Sequence, residues 1–379
     1  MPDTLVASVQ PATSDYSWTR REILQQPATL RATQAILSAT RDAIDAFLAP
    51  LRATPDLRIM LCGAGTSAFI GECLAPWLTA TLGRPVDAVA TTDIVGAPQL
   101  YLDPKRPTLM VSFGRSGNSP ESIAAVDLAD ARLTVHHLVI TCNAEGALAQ
   151  RAGPTGYVVL LPEETHDRAF AMTSSFSAMM LAALSIFTGV AAMAARVEAI
   201  AAAVATTLAQ ADGIAATLAA RDFDRVVYLG SGVFQGLARE AALKLLELTD
   251  GAIPTAFDSA LGFRHGPKTI VTPRTLVVVF VSNDPLTRLY DLDIIAELRA
   301  DGHCSAVLAI SAQGGEGDAL VVHGAATLDD ADLLFPYIVP AQLFGLYCAL
   351  RLGRTPDKPN ASGTVNRVVQ GVRIHTPAA

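Results

Sequence analysis

Residues Thr108 to Asp127 read TLMVSFGRSGNSPESIAAVD. The apolar run Leu109–Phe113 predicts a buried strand, the chain breaks at Gly114, and a helix resumes at Pro120. Ser119 fits the position before the first helical residue, proline suits that first position, and Glu121 favours the first turn. Between strand and helix lie Arg115, Ser116, Gly117, Asn118 and Ser119. Free backbone N–H groups and the positive end of the helix dipole then face a loop of hydroxyls and one guanidinium, which makes an anion cradle suited to phosphate. The loop lacks the Gly-Lys-Ser/Thr ending of a Walker A loop and the G-x-G-x-x-G spacing of a dinucleotide fingerprint. The bland alternative is a capped helix with Arg115 solvated, and the junction alone does not exclude it.

Working outward, Arg58–Leu61 reads as a strand entering Cys62-Gly63-Ala64-Gly65-Thr66-Ser67, with a helix over 68–82 and a strand over 86–91. Beyond the opening stretch follow a strand over 138–141, a helix over 144–151 and a strand over 157–161. Strands alternating with helices predict a parallel sheet covered on both faces. Upstream, residues 1–15 read as disordered, and 18–48 as two helices separated at Pro27.

The pattern recurs. Leu61-Cys62-Gly63-Ala64-Gly65 matches Tyr228-Leu229-Gly230-Ser231-Gly232 at an offset of 167, and the same offset carries Thr108–Phe113 onto Thr275–Phe280. Two strand–loop–helix units at one offset predict an internal duplication, its halves joined by the Ala-rich helical stretch 173–220. The second half has Val233-Phe234 in place of Thr66-Ser67, and Ser282-Asn283-Asp284-Pro285-Leu286 in place of the 115–119 loop. A carboxylate there predicts that only the first half takes an anion. Open parallel sheets bind ligands at the carboxyl ends of their strands, where Thr66, Ser67, Ser116 and Ser119 fall.

Composition narrows the class. A chain of 379 residues, half of them hydrophobic, is long enough for two domains. Its net charge of −8 argues against nucleic acid or an anionic membrane as partner. Five scattered cysteines without a C-x-x-C pair predict reduced thiols in the cytoplasm, and the N-terminus lacks an apolar signal core. The uncharged segment 176–195 is long enough to span a bilayer but is read as a buried helix, being Ala-rich with Ser and Thr and without flanking aromatics.

Helix 234–248 places Leu237, Ala241, Leu245 and Leu248 on an apolar stripe and Glu240, Lys244 and Glu247 on one face. An exposed ion-paired face explains the spacing equally well. A carboxylate desolvated in that apolar setting would instead rise in pKa toward a useful base. Seven histidines raise the question of metal, but His136-His137 point to opposite sides of a strand and no H-E-x-x-H is present. His166 with Glu163, Glu164 and Asp167 reads as a polar loop cluster.

These features resemble the SIS (sugar isomerase) family, which includes the isomerase part of glucosamine-6-phosphate synthase. Glu22-Ile23 with Gln25-Gln26-Pro27, Gly65-Thr66-Ser67, the 112–119 loop, Thr165-His166-Asp167-Arg168 with Met172-Thr173-Ser174-Ser175, Leu243–Leu248, Gly262–Lys268 and Gly363–Gly371 are similar to its galactosamine-6-phosphate deaminase/isomerase branch, also named tagatose-6-phosphate ketose/aldose isomerase. The most specific piece is Leu261-Gly262-Phe263-Arg264-His265-Gly266-Pro267-Lys268. The resemblance spans nearly the whole chain. It implies an α/β fold of two tandem SIS (flavodoxin-like) domains: a helical extension over 1–50, a phosphate-binding domain over 51–205, a domain over 206–355 with the catalytic helix and HGP turn, and a tail over 356–379 closing the site.

It further implies that Ser67, Ser116 and Ser119 hold phosphate with Thr66 nearby. Arg115 stands where the synthase has glutamine, and a direct phosphate contact is inferred for it. The catalytic residues implied are Glu247, Lys244 and His265, and the candidate sugar contacts are Gly65, Ser112, Thr173 and Ser174. In the synthase that histidine comes from the neighbouring subunit, which implies a homodimer with shared sites, a tetramer being the larger alternative. The synthase tail brings a lysine into its sugar site, whereas here the tail reads Pro359-Asn360-Ala361-Ser362-Gly363-Thr364-Val365-Asn366-Arg367 and no residue is assigned that role.

The chemistry expected is a C2-to-C1 proton transfer on an open-chain sugar phosphate. Glu247 abstracts and returns the proton, His265 assists ring opening because imidazole titrates near working pH, and Lys244 steadies negative charge. With an amine at C2, the resulting imine is hydrolysed and ammonia leaves. The chain before Arg58 is too short for a glutaminase domain, so deamination is the expected direction. The reading is a cytoplasmic deaminating isomerase of amino-sugar catabolism without cofactor or metal, converting galactosamine-6-phosphate to tagatose-6-phosphate. Glucosamine-6-phosphate deamination, plain ketose/aldose isomerisation, or a non-catalytic sugar-phosphate-binding regulator are the alternatives. No DNA-binding helix pair precedes Arg58.

Overall fold

The alternation of apolar strands and helices is realised twice in the computed structural model, which describes residues 17–314, 317, 319–369 and 371–375. The disorder expected of residues 1–15 lies outside the described residues. Strands β1 (Arg58–Gly63), β2 (Val86–Ala90), β3 (Thr108–Gly114), β4 (Val135–Thr141) and β5 (Tyr157–Leu160) form one sheet in the order β2-β1-β3-β4-β5. Strands β6 (Arg225–Gly230), β7 (Thr255–Asp258), β8 (Thr275–Phe280), β9 (Ala306–Ser311) and β10 (Ala319–Val321) form another in the order β10-β9-β8-β6-β7. Every pairing is parallel. Both faces of such sheets are covered, which is why TLMVSF and TLVVVF run apolar without alternation and are buried along their whole length.

Helices α1 (Ser17–Leu24), α2 (Gln26–Ala39) and α3 (Arg41–Arg52) precede β1. The two helices expected over 18–48 are thus three. The first break falls at Gln25, because Pro27 is tolerated in the first turn of α2, and the second falls at Thr40. Helix α4 (Thr66–Leu82) follows β1, the short α5 (Thr91–Gly96) and α6 (Pro98–Tyr101) follow β2, and α7 (Pro120–Arg132) follows β3. The helix expected over 144–151 is the single turn α8 (Ala147–Gln150). Helices α9 (Ser174–Thr188) and α10 (Val190–Ala220) lead into the second half, which contains α11 (Val233–Leu248), α12 (Pro285–Asp301) and α13 (Asp330–Arg351).

The offset of 167 extends beyond the strands. It carries β1 onto β6 residue for residue, α4 onto α11, and the span from α2 to α3 into α10, while α9 falls on the later part of α13. Helices before the first sheet are therefore counterparts of the long helix before the second. The apolar segment 176–195 is not one helix either, since it breaks at Gly189, whose φ of +107° suits glycine alone. Helix α9 is buried from Ser174 to Phe187. By length and composition only, two helices among the described residues could cross a membrane, Val190–Ala220 and Asp330–Arg351, and the apolar window of the second is 89% buried inside the fold.

The halves meet where α4 crosses α11. Arg239 Nη1 lies 2.5 Å from Glu72 Oε1, a pair related by the same offset. Gly236 permits the close crossing, because a Cβ there would sit 2.6 Å from the backbone nitrogen of Cys73. Gly236→Ala is therefore expected to cost about 1–3 kcal/mol by overpacking despite its better helix propensity, lowering Tm by about 2–6 °C in a calorimetric scan.

Candidate active site

A cleft of about 290 Å³ opens at the carboxyl ends of β1 and β3. Two helices, α4 and α7, begin at its wall, so their first-turn N–H groups and positive dipole ends face the same space. Local sequence explains the approach. Gly65 (φ +56°) makes the turn into α4, and at Gly63 a Cβ would lie 2.5 Å from the backbone carbon of Ser67. Only glycine lets Ser67 sit this close to the strand end.

Gly65, Thr66, Ser67, Arg115, Ser116, Ser119 and Glu247 all line this cleft. Ser119 occupies the N-cap position of α7 as expected, yet its hydroxyl makes no capping hydrogen bond. The Ser116 hydroxyl accepts from the Asn118 N–H at 3.3 Å. These hydroxyls and the helix N-termini form the donor set that a phosphate group requires.

Arg115 lines the cleft, and most of its guanidinium N–H groups are engaged by backbone carbonyls. Its side chain is buried, Nη1 donates to the carbonyls of Ala169 (3.3 Å) and Phe170 (3.1 Å), and Nη2 donates to the carbonyl of Arg367 (2.7 Å). Only Nε lacks a partner. Burial, with the nearby Arg367 charge, brings the guanidinium down to about 10. Arg115 thus clamps the phosphate loop to the 169–170 segment and to the C-terminal tail. Arg115→Met is expected to weaken inorganic phosphate binding about tenfold in calorimetry, because the loop that carries Ser116 and Ser119 loses its anchor, and to speed tryptic cleavage after Arg367.

Four residues of the tail, Val365, Asn366, Arg367 and Val369, line the cleft. The Arg367 guanidinium donates to the Asp167 carbonyl. Asp167 is fully buried and its carboxylate accepts from the N–H groups of Thr173 (2.8 Å) and Ser175 (2.9 Å) and from the hydroxyls of Ser174 and Ser175. Thr173 and Ser174 therefore stand behind the cleft wall, and neither they nor Ser112 are among its lining residues. Glu121, Thr92, Phe170 and Met172 line it without having been expected. No spacing signal marks the last three, since they arrive on separate segments.

On α11, Lys244 is fully buried and its Nζ lies 2.5 Å from Glu247 Oε2, 3.0 Å from the Thr66 hydroxyl and 3.4 Å from Glu240 Oε1. The face is not a solvated one. Burial works to lower the lysine pKa, but the charges of Glu240 and Glu247 outweigh it and raise the group. Desolvation falls on Glu240, which is fully buried without a hydrogen-bond partner and is pushed up to about 8 by burial, against the pull of Lys244. Glu247 instead reaches the cleft with 23% of its side chain exposed. A neutral Glu240 beside a charged Lys244 leaves Glu247 as the lysine's counter-ion. His265 lies in the turn after Gly262–Arg264, exposed and outside the cleft.

In the second half the corresponding position is filled from within. Asp291, also fully buried, accepts from the Ser231 hydroxyl (2.8 Å) and the Ser282 N–H (3.0 Å), and Asp330 accepts from the Asn283 N–H (2.7 Å). Asp284, the carboxylate singled out in the sequence, caps α12 through the Thr287 N–H. Among the described residues no group of three or more His, Cys, Asp or Glu is arranged to hold a metal ion, and His137 pairs with Asp130 at 2.8 Å.

Comparison with known proteins agrees with this architecture. The SIS domain model matches residues 54–189. A Streptomyces coelicolor protein is 50% identical over 370 residues, covering 94% of this chain and 95% of its own. The D-galactosamine-6-phosphate deaminase AgaS of Escherichia coli is 47% identical over 372 residues, 96% of this chain and 97% of that protein. The crystal structure of tagatose-6-phosphate ketose/aldose isomerase from Escherichia coli is similar at a TM-score of 0.90 and 43% identity, covering 98% of this chain and 100% of the other.

Proposed function

Because this chain belongs to the SIS family, in its galactosamine-6-phosphate deaminase branch, we propose that it converts galactosamine-6-phosphate and water to tagatose-6-phosphate and ammonia. The observation that carries the reading is that Glu247, paired with Lys244, opens into the same cleft as Ser67, Ser116 and Ser119. Phosphate at C6 anchors on the hydroxyls and helix ends, which sets C1 and C2 toward Glu247. The Glu247 carboxylate takes the C2 proton, giving an enolamine, and returns it to C1, giving the C2 imine. Water adds to the imine carbon and the C–N bond breaks, leaving the ketone and ammonia. Lys244 holds Glu247 in place and offsets charge as the proton moves. The same proton transfer underlies ketose/aldose isomerisation, so both relatives' names fit one site.

His265 is exposed and is not among the residues lining the cleft, so in this reading it acts from a second copy of the chain. We place it in the cleft of a second copy, as His265 of the partner subunit, so that a homodimer forms the working unit. The cytoplasm suits free, mostly buried thiols. The deciding assay is ammonia release from galactosamine-6-phosphate and glucosamine-6-phosphate side by side, with a chelator present. Faster release from the galacto sugar is expected; silence on both sugars would remove the deaminase reading.

A further inference from the structure

A second cleft, of about 690 Å³, lies on the other side of Arg367. It is built from the two motifs that the reaction leaves unused, 22–27 and 165–168. Trp18, Arg21, Glu22, Gln25, Glu163, Glu164, His166 and Arg168 line it, and Arg367 is common to both clefts. Its walls are pinned. Glu22 accepts from the Arg168 N–H at 2.5 Å and from the Ala169 N–H, while the Gln25 amide donates to the Glu164 carbonyl at 2.8 Å and to Ser174 at 2.9 Å. Asp357 holds the N–H groups of Trp18 (3.2 Å) and Thr19 (2.7 Å).

On this frame two guanidiniums gather on one indole. Arg168 Cζ is 4.3 Å and Arg21 Cζ 5.2 Å from the Trp18 ring centroid. Among the described residues neither has a carboxylate within 4 Å nor a side-chain hydrogen bond. Both side chains are exposed, and packing on Trp18 leaves their N–H groups open to an anion in the cleft. His166 adds a buried ring nitrogen, Nε2, without a partner. Glu163 and Glu164, both exposed, give the same cleft unpaired carboxylates. The cleft therefore offers cations and anions at once, which matches a ligand carrying phosphate and ammonium on one small frame.

We propose that this second cleft binds a hexosamine 6-phosphate, with its phosphate on Arg21 and Arg168 and its ammonium toward Glu163 and Glu164. The choice of sugar rests on the reaction proposed above. Such a ligand would sit against Arg367, the residue that also walls the catalytic cleft, and so could be sensed there.

The test uses the full chain carrying Glu247→Gln to stop turnover and Trp77→Phe to leave Trp18 as the only tryptophan. Galactosamine-6-phosphate is titrated by calorimetry and by indole fluorescence, with and without Arg21→Gln and Arg168→Gln together. The expected result is two equivalents bound per chain, one of which perturbs Trp18 and weakens about tenfold or more in the double variant while the other is kept. One equivalent in both proteins, a Trp18 response that survives the double substitution, or loss of both equivalents would each overturn the proposal. Ammonia release by the unsubstituted chain is measured alongside. Its presence with single-site binding removes the second cleft alone, and its absence removes the reaction.

Discussion

Glu247→Gln is expected to lower ammonia release from galactosamine-6-phosphate by about a thousandfold, within the range that a positioned general base contributes. Glutamine keeps the shape and a hydrogen-bond acceptor for Lys244 but cannot take the C2 proton. The donors proposed to hold phosphate lie on α4, α7 and the loop between β3 and α7, so ligand binding is expected to change less than about threefold. The fold should also tolerate the change. Glu240 is held neutral by burial, with the Glu247 charge adding to that effect. Removing that charge lets Glu240 ionise and become the counter-ion of Lys244, 3.4 Å away. A thousandfold loss of rate with near-native melting and phosphate binding is the pattern to look for. A loss below tenfold would take the base role from Glu247.

Lys244→Met should act on stability instead. Breaking a buried pair by removing one member costs about 3–5 kcal/mol, because the remaining charge keeps its desolvation penalty without its partner. Here two carboxyls lose one shared cation. Without it, burial drives Glu240 further up from a value already near 8. The native state then holds a proton that the unfolded chain, titrating near 4.5, releases. Stability of the variant is therefore fullest below the unfolded value and declines as pH rises through the window from about 4.5 to above 8. The parent chain, its Glu240 protonated up to about 8, shares this decline below that value, so melting scans between about pH 6 and 10 should show a deficit that is level at first and widens above about pH 8. A deficit independent of pH would mean that lost packing dominates over charge.

Much of this molecule is legible along the chain because its signals are local. The apolar run ending at Phe113, the loop 114–119 and the proline at 120 carry strand, anion cradle and helix start within a single stretch. The repeat at 167 likewise needs only two short matches. What sequence reading misses is long-range. The commitment of Arg115 to three carbonyls depends on the 169–170 segment and on Arg367, residues 54 to 252 positions away. The burial of Glu240, Lys244 and most of Glu247 depends on the crossing of α11 with neighbouring helices, while their spacing alone fits a solvated face. The break at Gly189 was masked by apolar residues on both sides, since hydrophobicity reports burial but not where a helix ends.

The carboxylates of Asp291 and Asp330 give the two halves different thermodynamic characters. Each is a carboxyl group tethered to its own donors, which it meets intramolecularly and not by collision from solution. The second half therefore carries its own carboxyl groups at this position, although burial raises both, Asp291 to about 6, and it is expected to gain nothing from added ligand. The first half has the same architecture without the tethered occupant, so its stability rises with ligand concentration by mass action. Duplication followed by internal occupation of one copy has made one half a scaffold of fixed strength and left the other responsive to what it binds.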